Sequence, residues 1–550
     1  MKLLKLVTLF SICSCIISCA SVKSPKAVTF AISKKQPLTE KEKKDWYFKD
    51  IYTDSIPGIS LHKTYDFLNN KKAATIIVAV IDSEIDINHE DLKNQIWVNK
   101  DEIPNNNIDD DNNGYVDDIY GWNFLGTTVN DSLSSTTHET VRIVRKYKDF
   151  FHDKDSLAVR EKNKILYQNY SNASVELETR LLEAIENYDY FVGFTSRYEK
   201  LKDTLSSVLK SNQITLQKLD SLKEVSNDST ILKKIKSMQY CMQNDIDEDW
   251  LKDVTFMHKI NKDKVYNINY YKDRLTKDDP LNLKDSIYGN NNIEGTYKLD
   301  HATEVASLIL SVFDDRIKHN IKIMPVVIST YGSEYDKDIA LAIRYAVDNG
   351  AKVINMSIGK AFTLNEEWII KSIQYAESKD VLIVSAAGNE ALDLDNPDIY
   401  YYPNDMDQNK NEITNNFIVI GSSNQTNNLV SVYSNYGEKT VDIFAPGEEI
   451  KVLTRDESIN DSGTSLSTAI VSNIAALIRS RYPKLSASEV KQIIMESGVS
   501  YDIMVNKPSL EGKEEKVPFS SLSKSGKIVN AYNALLMAEE VSKKKKKRKK

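Results

Sequence analysis

Residues 461–477 read DSGTSLSTAIVSNIAAL, a turn of small residues that runs directly into an apolar pattern. The apolar side chains recur at helical spacing, which predicts a buried helix that begins close to Ser465. Gly463 lets neighbouring backbone approach closely, and the helix dipole favours negative charge at this end. A serine at this position is suited to be a nucleophile, although serine and threonine are also ordinary N-caps. The rest of the chain has to decide between the two interpretations.

A buried strand that ends in an acid stands nearer the beginning of the chain. Residues 74–81 read ATIIVAVI, a β-branched run that is typical of a strand inside a parallel sheet. Asp82 follows directly and therefore lies at the carboxyl end of that strand, where open α/β sheets place their sites. A loop-forming aspartate would give the same pattern.

One histidine opens a helical apolar pattern much further along the chain. The stretch LDHATEVASL, residues 299–308, places His301 at the start of that helix. A lone histidine before a helix is commonly a loop residue, so its surroundings have to decide its role.

Strands and helices alternate after His301. The predicted elements are strands at 321–327, 353–359, 381–386 and 417–420, and helices at 336–349, 365–379, 486–497 and 528–540. This alternation implies an α/β fold with a parallel sheet and right-handed crossovers. The third of these strands ends in Ala387-Gly388-Asn389, and its amide would also suit a simple turn.

Taken together, these blocks resemble the subtilisin-like serine proteases, or subtilases of peptidase family S8. The chain order Asp82, His301, Asn389, Ser465 agrees with the family's order. The helix of residues 301–307 is similar to the family's His-Gly-Thr-His-Val-Ala-Gly. The resemblance covers about residues 46–126 and 300–500, and it implies a doubly wound parallel sheet with helices on both faces.

The resemblance also implies a mechanism, that of a serine endopeptidase acting on a protein or peptide substrate. Ser465 would attack the peptide carbonyl, His301 would act as general base and then acid, and Asp82 would hold the imidazole. Asn389 would stabilise the oxyanion together with the backbone N–H of Ser465. The residues that would pair with the substrate are Ser357, Ile358 and Gly359.

Several residues depart from the family's pattern. Glu84 and Ala302 stand where the family has glycine, and Glu304 replaces its second histidine. Ser307 replaces another glycine, and Ala469 stands where the family has proline. The methyl group of Ala302 or the long side chain of Glu84 could crowd the catalytic histidine. Two extra carboxylates nearby would raise the pKa of that histidine. A catalytically degenerate protease that acts as a peptide- or protein-binding surface module is therefore the alternative function.

A third interpretation uses an acid as the base, as in the sedolisin-like relatives. Asp300 and Glu304 lie four residues apart and could share one helix face. Because Asp82 and His301 are both in place, we expect histidine to be the base.

Residues 101–124 suggest a structural calcium site. Oxygen-bearing residues alternate there as in a calcium loop, with Gly114 at the sharp turn. The candidate ligands are Asp109, Asp111, Asn113, Tyr115 and Asp117. The twelfth position is Tyr120 instead of the bidentate Glu of an EF-hand, so a hydrated acidic turn is the alternative. The expected reaction requires no cofactor, and calcium would only stabilise the fold.

The composition changes between residues 132 and 299, where charged and amide residues dominate. Leu177, Leu181 and Ile185 repeat at helical spacing. We expect two or three long helices, forming an α-helical subdomain inserted into the catalytic domain. The two parts of that domain would be residues 46–131 and 300–541.

The N-terminus has the pattern of a targeting segment. Lys2 and Lys5 precede an apolar run that ends in Ile16-Ile17-Ser18-Cys19, which resembles the lipobox of bacterial lipoproteins. We expect residues 1–18 to be a signal peptide, Cys19 to carry lipid and residues 19–45 to be a tether. The protein would be anchored to a membrane of the cell envelope, facing the periplasm or the exterior. A plain secretory signal is the alternative.

The cysteines and the apolar stretches limit the disulfides and the membrane spans that the chain could form. Cys13 and Cys15 would leave with the signal peptide, so Cys241 is the only candidate free thiol and no internal disulfide is expected. No later stretch is long and apolar enough to span a bilayer.

A basic run, Lys543 to Lys550, ends a chain of net charge −7. We expect residues 542–550 to form a disordered tail, with contact to anionic headgroups as the alternative. Because no basic stripe with aromatics accompanies the tail, nucleic-acid binding is not expected. We expect a monomer.

Overall fold

The structure is a computed structural model, which describes residues 38–68, 72–126, 135–152, 156–295, 299–311, 320–407 and 409–548. In these ranges the strands β1 to β13 are, in chain order, Ile76–Asp82, Trp122–Asn123, Ile321–Val327, Val353–Met356, Leu382–Ala386, Phe417–Ser423, Ile443–Pro446, Ile450–Leu453, Ser458–Asp461, Val499–Ser500, Met504–Asn506, Lys516–Pro518 and Lys527–Ile528. The helices α1 to α14 are Glu40–Lys43, Leu61–Leu68, Glu139–His152, Ser156–Lys162, Lys164–Leu209, Leu216–Val225, Ser229–Gln243, Glu248–Ile260, His301–Ile309, Asp336–Asp348, Glu366–Ser378, Thr464–Arg481, Ala487–Ser497 and Ala531–Arg548. Short 3₁₀ turns lie at Trp46–Phe48, Lys93–Gln95 and Phe519–Ser521, and a π-helical turn at Asn261–Val265.

A nine-stranded sheet forms the centre of the described chain, in the order β10-β13-β7-β6-β5-β4-β1-β3-β2. Every neighbouring pair is parallel except β10 with β13. The strand expected at 353–359 ends earlier, at Met356, because Ser357 leaves the sheet and bonds to Ser465 instead. The carboxyl ends of β1, β4 and β5 consequently lie side by side.

Helices cover both faces of this sheet. Val78 and Val80 of β1 pack into one apolar cluster with α9 and α12, whereas Ala79 and Ile81 pack into another with α10 and α11. Alternate residues of one strand therefore face two helical layers. This confirms the predicted α/β fold, a doubly wound parallel sheet with helices on both faces.

Between residues 135 and 295 the described chain is mostly helical. Helix α5 runs for 46 residues, and α3, α4, α6, α7 and α8 are all much shorter. The expectation was two or three long helices, and the structure has one. Residues of α5 to α8, including Leu205, Ile235 and Leu251, form a small apolar core of their own.

The two ends of the described chain both pack on the sheet domain. Trp46 is fully buried, and its Nε1 donates to the carbonyl of Glu448 at 3.1 Å. The expectation of a disordered tail is wrong as far as Arg548, because α14 continues through the basic run. Lysine is a good helix former, and Lys545 Nζ lies 2.5 Å from Glu489.

The predicted signal peptide and the lipid-carrying cysteine precede the first residue that the structure describes. Cys13, Cys15 and Cys19 lie outside the described residues. Among the described helices, none combines the length and the apolar character that a membrane span needs.

Candidate active site

Asp82 and His301 meet at the carboxyl edge of the sheet. Asp82 is the last residue of β1, and His301 is the first residue of α9. Nδ1 of the imidazole lies 2.7 Å from Oδ1 of Asp82, which also accepts the backbone N–H of Ser83 at 2.7 Å. The Asp82 side chain is 1% exposed, whereas that of His301 is 40% exposed. The buried carboxylate therefore orients the ring and leaves Nε2 for chemistry.

Nearby carboxylates change the basicity of His301. Burial by itself lowers the pKa of His301, but the charge and hydrogen bond of Asp82, with the charges of Glu304 and Asp461, raise it to about 9. Burial and then the charge of Asp461 raise the pKa of Glu304 to about 7. These carboxylates therefore favour the protonated form of His301.

Ser465 is the second residue of α12, directly after Gly463 and Thr464. The N–H groups of a helix's first turn have no partner inside the helix. In the described part of the chain Ser465 Oγ donates to the carbonyl of Ser357 at 3.3 Å and makes no hydrogen bond to His301. Catalytic hydrogen bonds often tighten only when substrate binds, and a serine hydroxyl moves by rotating about one bond.

Asn389 lies beside the same helix end. Its Oδ1 accepts the backbone N–H of Thr464 at 2.9 Å and the hydroxyl of Thr464 at 3.0 Å. Because a backbone N–H can only donate, the contacted atom must be the amide oxygen. Nδ2 of Asn389 is therefore the free donor, 3.7 Å from where a Cβ on Gly463 would lie. An amide N–H and a helix N-terminus thus converge near Ser465, and such donors stabilise a negatively charged oxygen.

A series of hydrogen bonds between buried polar side chains ends at the backbone of Ser465. Ser472 Oγ donates to Asn355 Oδ1 at 2.8 Å, and Asn355 Nδ2 donates to Ser357 Oγ at 2.9 Å. Ser357 Oγ in turn donates to the carbonyl of Ser465 at 2.9 Å. Three residues that connect the strand ends to α12 were not predicted from the sequence, namely Asn355, Ser472 and Thr464. A polar residue inside an otherwise apolar buried run is the signal that would have found them.

The segment expected to pair with substrate lies next to the serine. Ser357 and Ile358 are buried and Gly359 is exposed, directly after β4. Both the hydroxyl and the carbonyl of Ser357 contact Ser465.

The departures other than Glu304 are accommodated by the packing around them. Ala302 and Ala469 are buried in the apolar core. The hydroxyl of Ser307 donates to the carbonyl of Glu304 at 2.7 Å and accepts the N–H of Leu453 at 3.3 Å. The carboxyl group of Glu84 lies against Gly295.

One of the two acids of the alternative interpretation, Asp300, is engaged elsewhere. Asp300 Oδ1 accepts the backbone N–H of Arg455 at 2.9 Å. His301 keeps its short bond to Asp82, so the geometry favours histidine as the base.

The acidic loop gathers a different group of carboxylates from the one we expected. Oxygens of Asp109 and Asp111 come within 4.8 Å of one another and of Glu102, a residue that the spacing did not indicate. Asp117 instead accepts the backbone N–H groups of Asn106 and Asn107, at 3.2 and 2.8 Å.

The other two candidate ligands make contacts within the loop. Asn113 Oδ1 accepts the N–H of Tyr115 at 2.7 Å. The ring of Tyr115 packs edge-on against Trp122. The carboxylates of Glu102, Asp109 and Asp111 lie close enough together to hold a cation.

Known proteins are similar to parts of this chain. The sequence profile of the subtilase family (peptidase S8) matches residues 73–512. The cell wall-associated protease of Bacillus subtilis (strain 168) is 32% identical over 227 residues, which are 40% of this chain and 23% of that protease. Thermitase of Thermoactinomyces vulgaris is 31% identical over 211 residues, 38% of this chain and 68% of thermitase.

One solved structure in the comparison is that of a maturation protease. The prenylagaramide maturation protease PagA has a TM-score of 0.34 and 25% identity, covering 44% of this chain and 82% of PagA. This chain spans less than a quarter of the length of the Bacillus subtilis relative. The family profile nevertheless covers most of the chain and includes all four candidate residues from Asp82 to Ser465. The chain therefore belongs to the subtilase family of serine peptidases.

Proposed function

We propose that this protein is a serine endopeptidase that uses Asp82, His301 and Ser465 as its triad and Asn389 as an oxyanion donor. The observation that carries the proposal is the 2.7 Å bond between buried Asp82 and His301 at the same sheet edge as Ser465. The amide of Asn389, oriented by Thr464, adds the donor that a tetrahedral intermediate needs.

In the proposed reaction, Ser465 Oγ turns from the carbonyl of Ser357 towards Nε2 of His301 and attacks the peptide carbonyl. His301 takes the hydroxyl proton, and Asp82 stabilises the imidazolium through Nδ1. The carbonyl oxygen, now negative, receives hydrogen bonds from Asn389 Nδ2 and from the N–H of Ser465. His301 then protonates the leaving amine, and water releases the acyl group by the same steps in reverse order. These triad roles are those of the subtilisin mechanism.

The exposed backbone around Gly359 supports an extended peptide as substrate. Gly359 directly follows the carboxyl end of β4, beside the nucleophile, and a peptide backbone could lie along it there.

A fluorophosphonate probe tests the proposal directly, because it reacts only with activated serines. We expect the full chain to be labelled at pH 9 and Ser465→Ala to remain unlabelled, with peptide mapping placing the label on Ser465. An unlabelled but folded wild-type protein would contradict catalysis and favour the peptide-binding module.

We also propose that the protein is a lipoprotein of the cell envelope, anchored through Cys19. The support is the charged start, the apolar run and the small residue before Cys19. Cells that express the full chain should incorporate an alkyne fatty acid into it, and Cys19→Ser should remove the label. Cys241→Ser is the matched control. Labelling of the Cys19→Ser protein would exclude this anchor.

We propose a structural calcium ion at Glu102, Asp109 and Asp111. Three carboxylates are suitable ligands, because calcium prefers oxygen. Calcium should raise the melting temperature of the wild-type protein but not of Asp109→Asn. An equal melting temperature with calcium or with a chelator would contradict the site.

A further inference from the structure

The ring of one tyrosine separates the two strand ends that meet at Ser465. Gly359 follows β4 and Gly388 follows β5, and the phenol of Tyr401 lies against both. A Cβ built on Gly359 would lie 2.5 Å from the Tyr401 hydroxyl oxygen, and one built on Gly388 would also lie 2.5 Å from it. Neither position therefore has room for a side chain, and the phenol fills the space between them.

These two strand ends also hold the reacting groups. Ser357, two residues before Gly359, accepts the hydroxyl of Ser465. Asn389, the proposed oxyanion donor, directly follows Gly388. The Tyr401 ring thus stands beside the place where a peptide carbonyl has to lie in order to react.

Contacts on several sides fix the position of the ring. The neighbouring residue Tyr402 exchanges backbone hydrogen bonds with Lys360, at 2.8 and 2.9 Å. The Tyr401 hydroxyl donates to Glu390 Oε1 at 3.5 Å, and Glu390 Oε2 accepts from Asn435 at 2.8 Å. Burial, followed by the charge of Glu390, raises the pKa of Tyr401 well above its usual range, as expected for an enclosed phenol.

We infer that Tyr401 restricts cleavage to peptide bonds that follow a small residue, such as glycine, alanine or serine. The inference rests on the proposed peptidase function. A substrate that lies along residues 357–359 directs the side chain next to the attacked carbonyl between the Gly359 and Gly388 segments. A large side chain would overlap the Tyr401 ring there, and overpacking is unfavourable because protein interiors are close-packed.

Two p-nitroanilide tetrapeptides, with alanine or phenylalanine before the anilide, test this inference. We expect the full-length wild-type enzyme to favour alanine in kcat/KM by at least about tenfold. Tyr401→Gly should raise kcat/KM for phenylalanine by a similar factor. Tyr400→Ala, which changes an exposed neighbouring ring, should leave the ratio unchanged. A wild-type preference for phenylalanine, or an unchanged ratio in folded Tyr401→Gly, would overturn the inference.

Active-site titration with the fluorophosphonate probe separates this test from a failure of the proposed function. If wild-type Ser465 is labelled, the selectivity measurement concerns Tyr401 alone.

If Tyr401→Gly does not fold, the wild-type enzyme still tests the inference. Mass spectrometry of its cleavage products from an unfolded protein should show small residues before most cuts. Cuts that follow large aromatic or leucine residues as often as small ones would overturn it.

Discussion

Helices α12 and α5 differ in how much of each helix is buried. Sixteen of the 18 residues of α12 are buried, whereas only five of the 46 residues of α5 are. Helix α12 is held on all sides by the sheet and its neighbours, so Ser465 at its N-terminus has a fixed backbone. Helix α5 packs on α6 to α8 through a few apolar residues and carries exposed ion pairs such as Arg180 with Glu176. We therefore expect substitutions to be tolerated better on the exposed surface of α5 than in α12.

The two regions are joined by a buried cluster of charges next to the proposed substrate segment. Lys360 Nζ lies 2.7 Å from Asp336 and 3.4 Å from Glu139, the first residue of α3. Arg142 bonds to the same glutamate at 2.6 Å. Removing one member of such a cluster leaves the others as uncompensated buried charges. The beginning of the insertion is therefore attached rigidly to the strand end that carries Gly359.

The largest effect should come from Ser465→Ala. We expect kcat to fall on the order of 10⁶-fold, the magnitude known for the corresponding change in subtilisin, with little change in melting temperature. The measurement is hydrolysis of an unfolded protein, with thermal unfolding as the control. Undiminished cleavage by the variant would contradict the assignment of the nucleophile.

The next prediction contrasts the buried charge cluster with the insertion surface. Lys360→Met should lower the free energy of unfolding by about 3–5 kcal/mol, because buried Asp336 loses its cationic partner and Glu139 keeps only Arg142. Arg180→Ala, on the exposed side of α5, should cost about 0.3–0.5 kcal/mol. Urea unfolding followed by tryptophan fluorescence measures both. Equal losses in the two variants would refute the contrast.

Asn389→Ala tests the oxyanion donor. We expect kcat to fall on the order of 10²–10³-fold with KM nearly unchanged, because Nδ2 bonds only to the developing charge. Steady-state kinetics on a p-nitroanilide peptide gives both constants. If KM rises while kcat stays constant, Asn389 only binds substrate.

The smallest effect concerns pH. His301 acts as a base only when neutral, so kcat/KM should rise with pH up to an apparent pKa near 9. Glu304 is one of the charges that hold the proton, so Glu304→Gln should move this midpoint to lower pH. Glu90→Gln, an exposed acid, is the matched control. An unchanged midpoint in Glu304→Gln would show that this carboxylate does not act on His301.

Apolar runs in the sequence were enough to predict several strands of the central sheet. Strand β3 appears with the predicted bounds, because its apolar run is short and well delimited. Asp82 and His301 were assigned through the resemblance to the subtilases, since each alone also suits a loop, and the structure brings them together.

Contacts between distant segments could not be predicted in this way. Glu102 joins Asp109 only through the shape of a loop, and Tyr401 reaches Gly359 and Gly388 from an irregular segment. No periodicity marks such residues, because their roles depend on where the chain turns. The helical end of the chain was missed for a similar reason, since Lys545 bonds to Glu489 on another helix.

The insertion also affects how the protein folds. Strand β1 pairs with β3 from Ile76 opposite Ile321, across the whole insertion. The insertion's own ends are joined, because His138 donates to the carbonyl of Val265 at 2.8 Å. Asn123 and Asn290 exchange backbone hydrogen bonds just outside them, at 2.8 and 3.0 Å. If the insertion folds first, these contacts shorten the flexible loop that has to close when β1 pairs with β3. The entropic cost of closing a loop grows only slowly with its length, so the cost of forming the central sheet is then small.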